Sequence, residues 1–200
     1  QNNQLKSIFT GRLGISTFST DAFPLLEEIY VWGGIPNFNI DQNPLLKSFT
    51  LLEAINFGPL PNFSSAPNLE EISLTASDFS TPTLDLSNNP NLTGVTVNAT
   101  NLSFINIKNG TNNPGLVVAI DDNNNNPCVQ VDSESYTIEQ ENLGNWSISS
   151  ATFSENCNVG CQQTVSIADS NFETYLENVL NVGDGIVGNG LVCRELVAAL

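Results

Sequence analysis

A segment headed by proline recurs along this 200-residue chain at nearly constant intervals. Each copy carries apolar residues in the order L-x-x-φ-x-φ, in which φ is an apolar side chain. The clear copies start at Pro24, Pro44, Pro67 and Pro90. Weaker copies lie at residues 5–10 and after Pro114, so the period is 20 to 24 residues. Such a period predicts a solenoid, because stacked units can bury apolar sides that a single unit cannot bury alone.

A second alternating run precedes each proline head and predicts a second extended side in every coil. The runs occupy residues 38–40, 84–86 and 105–107. Three positions before each head stands a small polar residue, whose side-chain oxygen we expect to cap a backbone N–H at the corner. These residues are Asp21, Asp41, Ser64, Ser87 and Thr111. A β-sandwich would also give short, evenly spaced strands. It has no reason, however, to repeat the apolar, polar and proline positions in register.

The charge balance excludes two classes of partner. Five Lys and Arg stand against 21 Asp and Glu, which gives a formal net charge of -16. Such a chain repels nucleic acid and anionic lipid, since both are bound through clustered basic residues. The sequence also lacks a run of about 18 to 20 apolar residues, the length that a membrane-spanning helix requires. We therefore expect neither nucleic-acid binding nor membrane insertion.

The absence of histidine narrows the chemistry further. It removes Ser-His and Cys-His nucleophiles and every histidine-ligated metal site. Paired acids at residues 27–28 and 70–71 could suggest hydrolysis by two carboxylates. They occupy equivalent repeat positions, so the repeat explains them without a catalytic cleft. We expect the protein not to be an enzyme.

Three stretches resemble the secreted leucine-rich-repeat proteins of bacterial cell surfaces. Residues 84–92, LDLSNNPNL, resemble the repeat L-D-[LV]-S-N-N-x-x-L of that family. The cysteine-bounded stretch from Cys128 to Cys157 is similar to the segment that closes such arrays, and residues 167–176 are similar to the helix that opens a new one. The resemblance implies a mainly β solenoid of the leucine-rich-repeat type, with a disulfide-bounded closing segment and a short C-terminal helix. It also implies secretion to a bacterial cell surface.

The order of these stretches predicts three regions. Residues 1–120 form a leucine-rich-repeat solenoid of five to six coils, incomplete at its N-terminus. Residues 121–160 form the closing segment, and residues 161–200 form a linker and the helical opening cap of a following repeat module. Solenoid ends require polar capping units. We therefore expect the 200 residues to be a fragment of a longer, multi-module chain.

Four cysteines, Cys128, Cys157, Cys161 and Cys193, allow three pairings. In a chain expected outside the cell, an even number favours disulfides, here Cys128 with Cys157 and Cys161 with Cys193. A zinc site with four cysteine ligands is the alternative, since only three residues separate Cys157 from Cys161.

We expect no cofactor. Calcium is considered for the glycine-rich loop at residues 181–190, but that loop contains one carboxylate and no closing Glu, so a turn is favoured. Asp121 and Asp122, which four Asn residues follow, are interpreted as a solvated loop.

Stacking the repeats predicts one outward face. The position between the two φ residues carries Phe9, Tyr30, Thr50, Ser73 and Thr96. The next outward position carries Gly11, Trp32, Leu52, Thr75 and Asn98. The predicted binding residues are Phe9, Tyr30, Trp32, Thr50, Ser73 and Thr75. Aromatic rings beside hydroxyl groups suit stacking on sugars or anchoring of a protein. The alternative is that Tyr30 and Trp32 only pack on neighbouring coils.

Two further expectations follow from the repeat. The residue after the first Leu of each copy reads Lys6, Glu27, Lys47 and Glu70, which predicts a ladder of alternating charge. The functional hypothesis is a non-enzymatic, extracellular module for binding or adhesion to a glycan or protein partner. The alternative is a structural repeat of a surface filament or stalk that self-associates end to end. A carbohydrate-active accessory domain is a third hypothesis.

Overall fold

The computed structural model describes residues 4–11, 17–33, 37–55 and 57–157, and two strands at residues 164–166 and 191–193. The chain divides into two compact units, residues 1–155 and residues 156–200. Unit one contains a seven-stranded parallel sheet, here called the long sheet. Its strands, in spatial order, are β1 (Ser7–Gly11), β3 (Glu28–Trp32), β5 (Ser48–Leu52), β6 (Glu71–Thr75), β8 (Gly94–Asn98), β10 (Val117–Asp121) and β12 (Trp146–Ile148).

Shorter parallel strands form the second extended side of the coils. They are β2 (Thr17–Ser19), β4 (Asn37–Asn39), β7 (Thr83–Asp85), β9 (Phe104–Asn106), β11 (Cys128–Gln130) and β13 (Thr152–Ser154). β2 pairs with β4, while β7, β9, β11 and β13 form a separate sheet. The coil between β4 and β7 contains Pro59, Pro61 and a 3-10 turn at Phe63–Ser65. Proline has no N–H to donate to a ladder, which accounts for the break. Parallel strands in successive coils confirm the solenoid and exclude the sandwich.

The core follows the alternation of the long strands. In β3, Ile29 and Val31 are buried while Glu28 and Trp32 are exposed. The strand register stacks two inward columns through the solenoid. They are Ile8, Ile29, Phe49, Ile72, Val95 and Val118, and Thr10, Val31, Leu51, Leu74, Val97 and Ile120. The first Leu of the repeat is buried as well, at Leu26, Leu46, Leu69 and Leu92. The apolar positions of the repeat are therefore the core.

The residue after most long strands has a left-handed backbone. Gly33, Glu53, Ala76, Ala99 and Asp122 follow β3, β5, β6, β8 and β10 and have φ values of 88°, 52°, 48°, 52° and 54°. Only glycine adopts this region without steric cost from Cβ. The chain thus turns by the same backbone device at each of these corners, with or without glycine.

The corner caps differ from the sequence-based prediction. At the corners of Asp21, Asp41, Ser64, Ser87 and Thr111, the backbone N–H of that residue is the donor. The acceptor is the side chain two positions earlier: Ser19, Asn39, Asn62, Asp85 and Asn109. Short polar side chains readily accept from the N–H two residues later, so the cap begins each turn.

Asparagine also joins one coil to the next. Buried Asn89 donates from Nδ2 to the carbonyl oxygens of Phe63 and Ala66, at 3.0 and 2.8 Å. Asn43 occupies the same position two coils earlier, and its Nδ2 donates to the carbonyl oxygen of Phe23 at 2.9 Å. These side chains give a second donor to corner carbonyls that already accept a backbone N–H within their own coil. The asparagine content therefore reflects contacts between coils as well as turns within them.

The expected closing segment contains a helix that the repeat pattern did not predict. α1 (Glu134–Leu143) begins after Ser133, whose Oγ accepts from the N–H of Tyr136, and ends at Gly144, which has a φ of 75°. Beyond residue 120, the predicted end of the solenoid, β12 and β13 extend both sheets, and the compact unit continues to residue 155. Within the described part of the chain, no helix is long and apolar enough to cross a membrane.

Unit two is described through one antiparallel pair, β14 (Thr164–Ser166) with β15 (Leu191–Cys193). The predicted helix at residues 167–176 and the glycine-rich loop at residues 181–190 lie outside the described residues.

Candidate binding face

The long sheet presents one side to solvent, here called the outer face. β1 pairs with β3 so that Phe9 lies beside Tyr30, and β5 and β6 continue the same row with Thr50 and Ser73. A second row runs from Gly11 through Trp32 and Leu52 to Thr75. The register that the repeat predicts is confirmed, and it places all six predicted binding residues on this face.

Aromatic side chains occupy the β1 and β3 end of the outer face, here called the aromatic patch (Phe9, Tyr30 and Trp32). Phe9 is 73% exposed and Trp32 is 44% exposed. The rings of Phe9 and Tyr30 stack with centroids 5.9 Å apart. The Trp32 indole donates from Nε1 to Glu53 Oε2 at 3.0 Å, and its Cε3 lies 3.7 Å from the place where a Cβ on Gly11 would stand. The patch is packed on neighbouring coils and remains accessible.

A shallow depression of about 210 Å³ lies further along the outer face. We call it the hydroxyl depression; it is lined by Ser48, Thr50, Glu71, Ile72, Ser73, Gly94 and Thr96. Its depth comes from Gly94, which has no side chain, whereas the neighbouring position in the same row on β6 carries the side chain of Glu71. The predicted binding residues include Thr50 and Ser73. Thr96 is predicted on the same outward face but not as a binding residue, and the sequence prediction missed the other lining residues. The sequence does carry a signal for Gly94: it is the only glycine at the first outward position of the long strands β1 to β10.

The outer face is acidic among its described residues. Glu28 and Glu71 occupy the first outward row, where Glu28 accepts from Ser7 Oγ at 3.0 Å. From β1 to β8 the outward rows contain no Lys or Arg. A neutral or cationic ligand is therefore favoured over an anionic one.

Lysines stand just before the strands, where Glu27 binds two of them. Glu27 Oε1 lies 2.6 Å from Lys6 Nζ, and Glu27 Oε2 lies 3.2 Å from Lys47 Nζ. The hydrogen bond from Lys6 holds the pKa of Glu27 below its ordinary value, and the same bond raises the pKa of Lys6. Two steps of the predicted ladder are thus confirmed. At the third step Lys47 and Glu70 are neighbours, since the Glu70 N–H donates to the Lys47 carbonyl at 2.8 Å, but the described ion pairs join Lys47 to Glu27 and do not include Glu70.

The paired acids serve different surfaces. Glu70 lines a groove of about 310 Å³ beside the proline corners, together with Glu27 and Lys47, whereas Glu71 lines the hydroxyl depression. Consecutive residues of an extended chain point to opposite sides, which separates the two carboxylates of each pair. Glu27 and Glu70, one from each pair, therefore share the groove, while Glu28 and Glu71 lie on the outer face.

Cys128 and Cys157 are both disulfide-bonded. Since a disulfide sulfur is not a thiolate ligand, the zinc alternative is excluded for these two residues. The side chains of Cys161 and Cys193 lie outside the described residues. Disulfides persist in oxidising compartments, so this bonding indicates an oxidising, non-cytoplasmic environment.

Other candidate metal ligands do not converge in the described part of the chain, where no group of three or more Cys, Asp and Glu could hold an ion. Asp121 instead accepts hydrogen bonds from the hydroxyls of Ser147 and Ser149 in the adjacent coil.

Comparison with known proteins identifies no relative of this chain. No protein-family model, curated protein sequence or solved structure matches the chain.

Proposed function

We propose that this protein is a non-enzymatic, extracellular binding or adhesion module and that the aromatic patch binds a glycan. The observation that carries the proposal is the exposure of Phe9 and Trp32 on the neighbouring strands β1 and β3 of one continuous sheet face. Large exposed apolar side chains that cluster on a folded surface mark interaction sites. The L-x-x-φ-x-φ repeat on the long strands and its resemblance to secreted bacterial leucine-rich-repeat proteins support an extracellular setting.

The chemistry of the face favours a sugar over a protein. The core of a protein interface is enriched in aromatic residues and depleted in charge. Here the aromatic patch gives way to the hydroxyl side chains of β5, the next strand, and to the carboxylate of Glu71 on β6. A sugar presents both an apolar ring face and hydroxyl groups, so it complements both parts.

The test compares binding of the intact chain and of Trp32→Ala on an array of uncharged glycans. We expect the substitution to weaken binding about 30-fold, equivalent to about 2 kcal/mol, because it removes a central aromatic anchor. Leu143→Ala is the matched control, since Leu143 is an exposed apolar residue on α1, away from the outer face.

Circular dichroism confirms that each variant is folded. Unchanged binding in folded Trp32→Ala would place the site elsewhere. Binding of a protein through Trp32, with no glycan bound by the intact chain, would replace the glycan with a protein partner.

A further inference from the structure

We infer that the hydroxyl depression is a second subsite of the same binding face and that its ligand is an unbranched, uncharged oligosaccharide reaching it from the aromatic patch. The inference rests on the proposed function and adds the length, shape and charge of the ligand. It depends on three features of the outer face: the lining of the depression, the combined span of the depression and the aromatic patch, and the charge along that span.

The lining of the depression suits sugar hydroxyls. Ser48, Thr50, Ser73 and Thr96 each offer a hydroxyl that can donate and accept, and Glu71 offers two acceptor oxygens. A hydrogen bond from a sugar hydroxyl to a carboxylate is stronger than one between neutral groups. An apolar ligand would leave these groups without partners, whereas a polyhydroxylated one would satisfy them.

The span from the aromatic patch to the far edge of the hydroxyl depression sets the length of the ligand, since the near edge, Thr50, is the row neighbour of Tyr30. The spatial order of the strands is β1, β3, β5, β6 and β8, so Tyr30 on β3 lies three strand spacings from Thr96 on β8. Neighbouring strands are about 4.8 Å apart, which gives about 14 Å from Tyr30 to Thr96. A single sugar ring cannot extend over that distance. A chain of several sugars that crosses the strands can occupy both sites at once.

The surface along this span sets the charge and the shape of the ligand. Thr50 and Ser73, which line the depression, continue the row of Tyr30, and Leu52 and Thr75 continue the row of Trp32. These side chains are half-buried, so the path is low and continuous. Glu28 and Glu71 border the path, which disfavours uronic acids and sulfated sugars. The geometry therefore fits an extended, uncharged chain.

The experiment measures affinity against chain length by calorimetry. The probes are β-1,4-linked glucose, β-1,3-linked glucose and β-1,4-linked N-acetylglucosamine, each as a series from two to about six sugars, with a sulfated and a uronic chain of matched length as charged controls. For at least one series, we expect the affinity of the intact chain to rise about tenfold or more once the oligosaccharide spans both sites. Multivalent occupation of linked sites gives such a gain without any new contact at the first site.

Gly94→Thr isolates the second subsite. A Cβ at residue 94 would meet Glu71 Cγ at 3.5 Å, an ordinary contact, so the strand tolerates the side chain while the depression is filled. We expect this variant to lose the gain of long chains and to bind short chains as the intact protein does. Gly115→Thr, in an exposed turn away from the outer face, is the matched control. Glu71→Gln keeps the shape of the depression, and we expect it to weaken long-chain binding several-fold.

The outcomes separate this inference from the proposed function. Affinity that depends on Trp32 but not on chain length, or long-chain binding that Gly94→Thr leaves intact, would overturn the second subsite and leave the aromatic site in place. Tighter binding of a sulfated or uronic chain would overturn the uncharged ligand. Failure of the intact protein to bind any glycan would overturn the proposed function itself.

Discussion

At the scale of single residues, this solenoid tolerates backbone strain where a glycine would remove it. Ala76 and Ala99 have φ values of 48° and 52°, whereas Gly33 holds the equivalent corner at 88°. A non-glycine residue in this region costs about 1 to 3 kcal/mol. The contacts of the flanking parallel strands hold the chain there in spite of that cost.

Ala76→Gly is therefore expected to stabilise the protein. Relief of the Cβ strain exceeds the extra entropy that glycine loses on folding, and we expect a gain of about 0.5 to 1 kcal/mol in the free energy of unfolding. Ala119→Gly is the matched control, since Ala119 lies within β10. We expect this variant to lower the free energy of unfolding by about 0.5 to 1 kcal/mol. Chemical denaturation measures both. Equal losses in the two variants would contradict the strain at Ala76.

Glu27 predicts a pH dependence of stability. The folded-state pKa of Glu27 is lowered. Its contribution to the free energy of unfolding is therefore present above the unfolded-state pKa and is lost as the pH falls through the folded-state pKa. The pKa of Lys6 is raised, so its contribution is lost only as the pH rises through that folded value. We expect the Tm difference between the intact chain and Glu27→Gln to be constant from about pH 5 to pH 10 and to shrink at lower pH.

Glu70→Gln controls for the loss of a carboxylate, because Glu70 is outside the described ion pairs. A Tm difference for Glu27→Gln that stays unchanged down to pH 2 would show that the ion pairs of Glu27 do not stabilise the folded protein.

At the scale of elements, the coils are held together by backbone ladders, stacked core columns and asparagine side chains. Phe38, Phe49 and Phe63 form a chain of edge-to-face aromatic contacts with centroids 5.8 and 5.2 Å apart. α1 uses different means. Its buried residues are Thr137 and Gln140, while Ile138 and Leu143 are exposed. The packing of Tyr136 edge-on against Trp146 adds an aromatic contact between the helix and the last long strand.

Asn89→Ala tests the contacts between coils. The substitution removes two hydrogen bonds, while the carbonyls of Phe63 and Ala66 each keep one backbone donor, the N–H of Ala66 and of Leu69. We expect a loss of about 1 to 2 kcal/mol, because each lost hydrogen bond contributes about 0.5 to 1.5 kcal/mol and removal of Asn89 Oδ1, itself buried without a partner, offsets part of the cost. Asn88→Ala, at the exposed neighbouring position, should stay within about 0.5 kcal/mol. A loss at Asn89 no larger than at Asn88 would show that water replaces the amide.

At the scale of the whole molecule, the bonded cysteines are expected to hold the end of the stacked coils. We predict from the sequence that Cys128 pairs with Cys157, which closes a loop of intermediate length. On the chain-entropy estimate, reduction of this bond would lower stability by about 3 to 4 kcal/mol.

The check on the pairing is peptide mapping of the unreduced chain after alkylation. We expect no alkylated Cys128 or Cys157 and a linked peptide that contains both. A linked peptide that joins either residue to Cys161 or Cys193 would correct the pairing while keeping the disulfides.

The sequence by itself determined the coil, its register and the outward position of Phe9, Tyr30 and Trp32. It could do so because burial imposes one apolar period on every unit, and a one-residue slip would turn the whole pattern inside out. Only the tertiary structure decided the features that depend on the neighbouring coil. The repeat places Lys47 between Glu27 and Glu70 and does not decide which carboxylate it contacts. Gly94 forms a depression only because the side chain of Glu71 stands beside it. The capping signals at Ser133 and Gly144 bound α1, but its buried face is polar, so periodicity could not reveal a helix that packing against Trp146 supports.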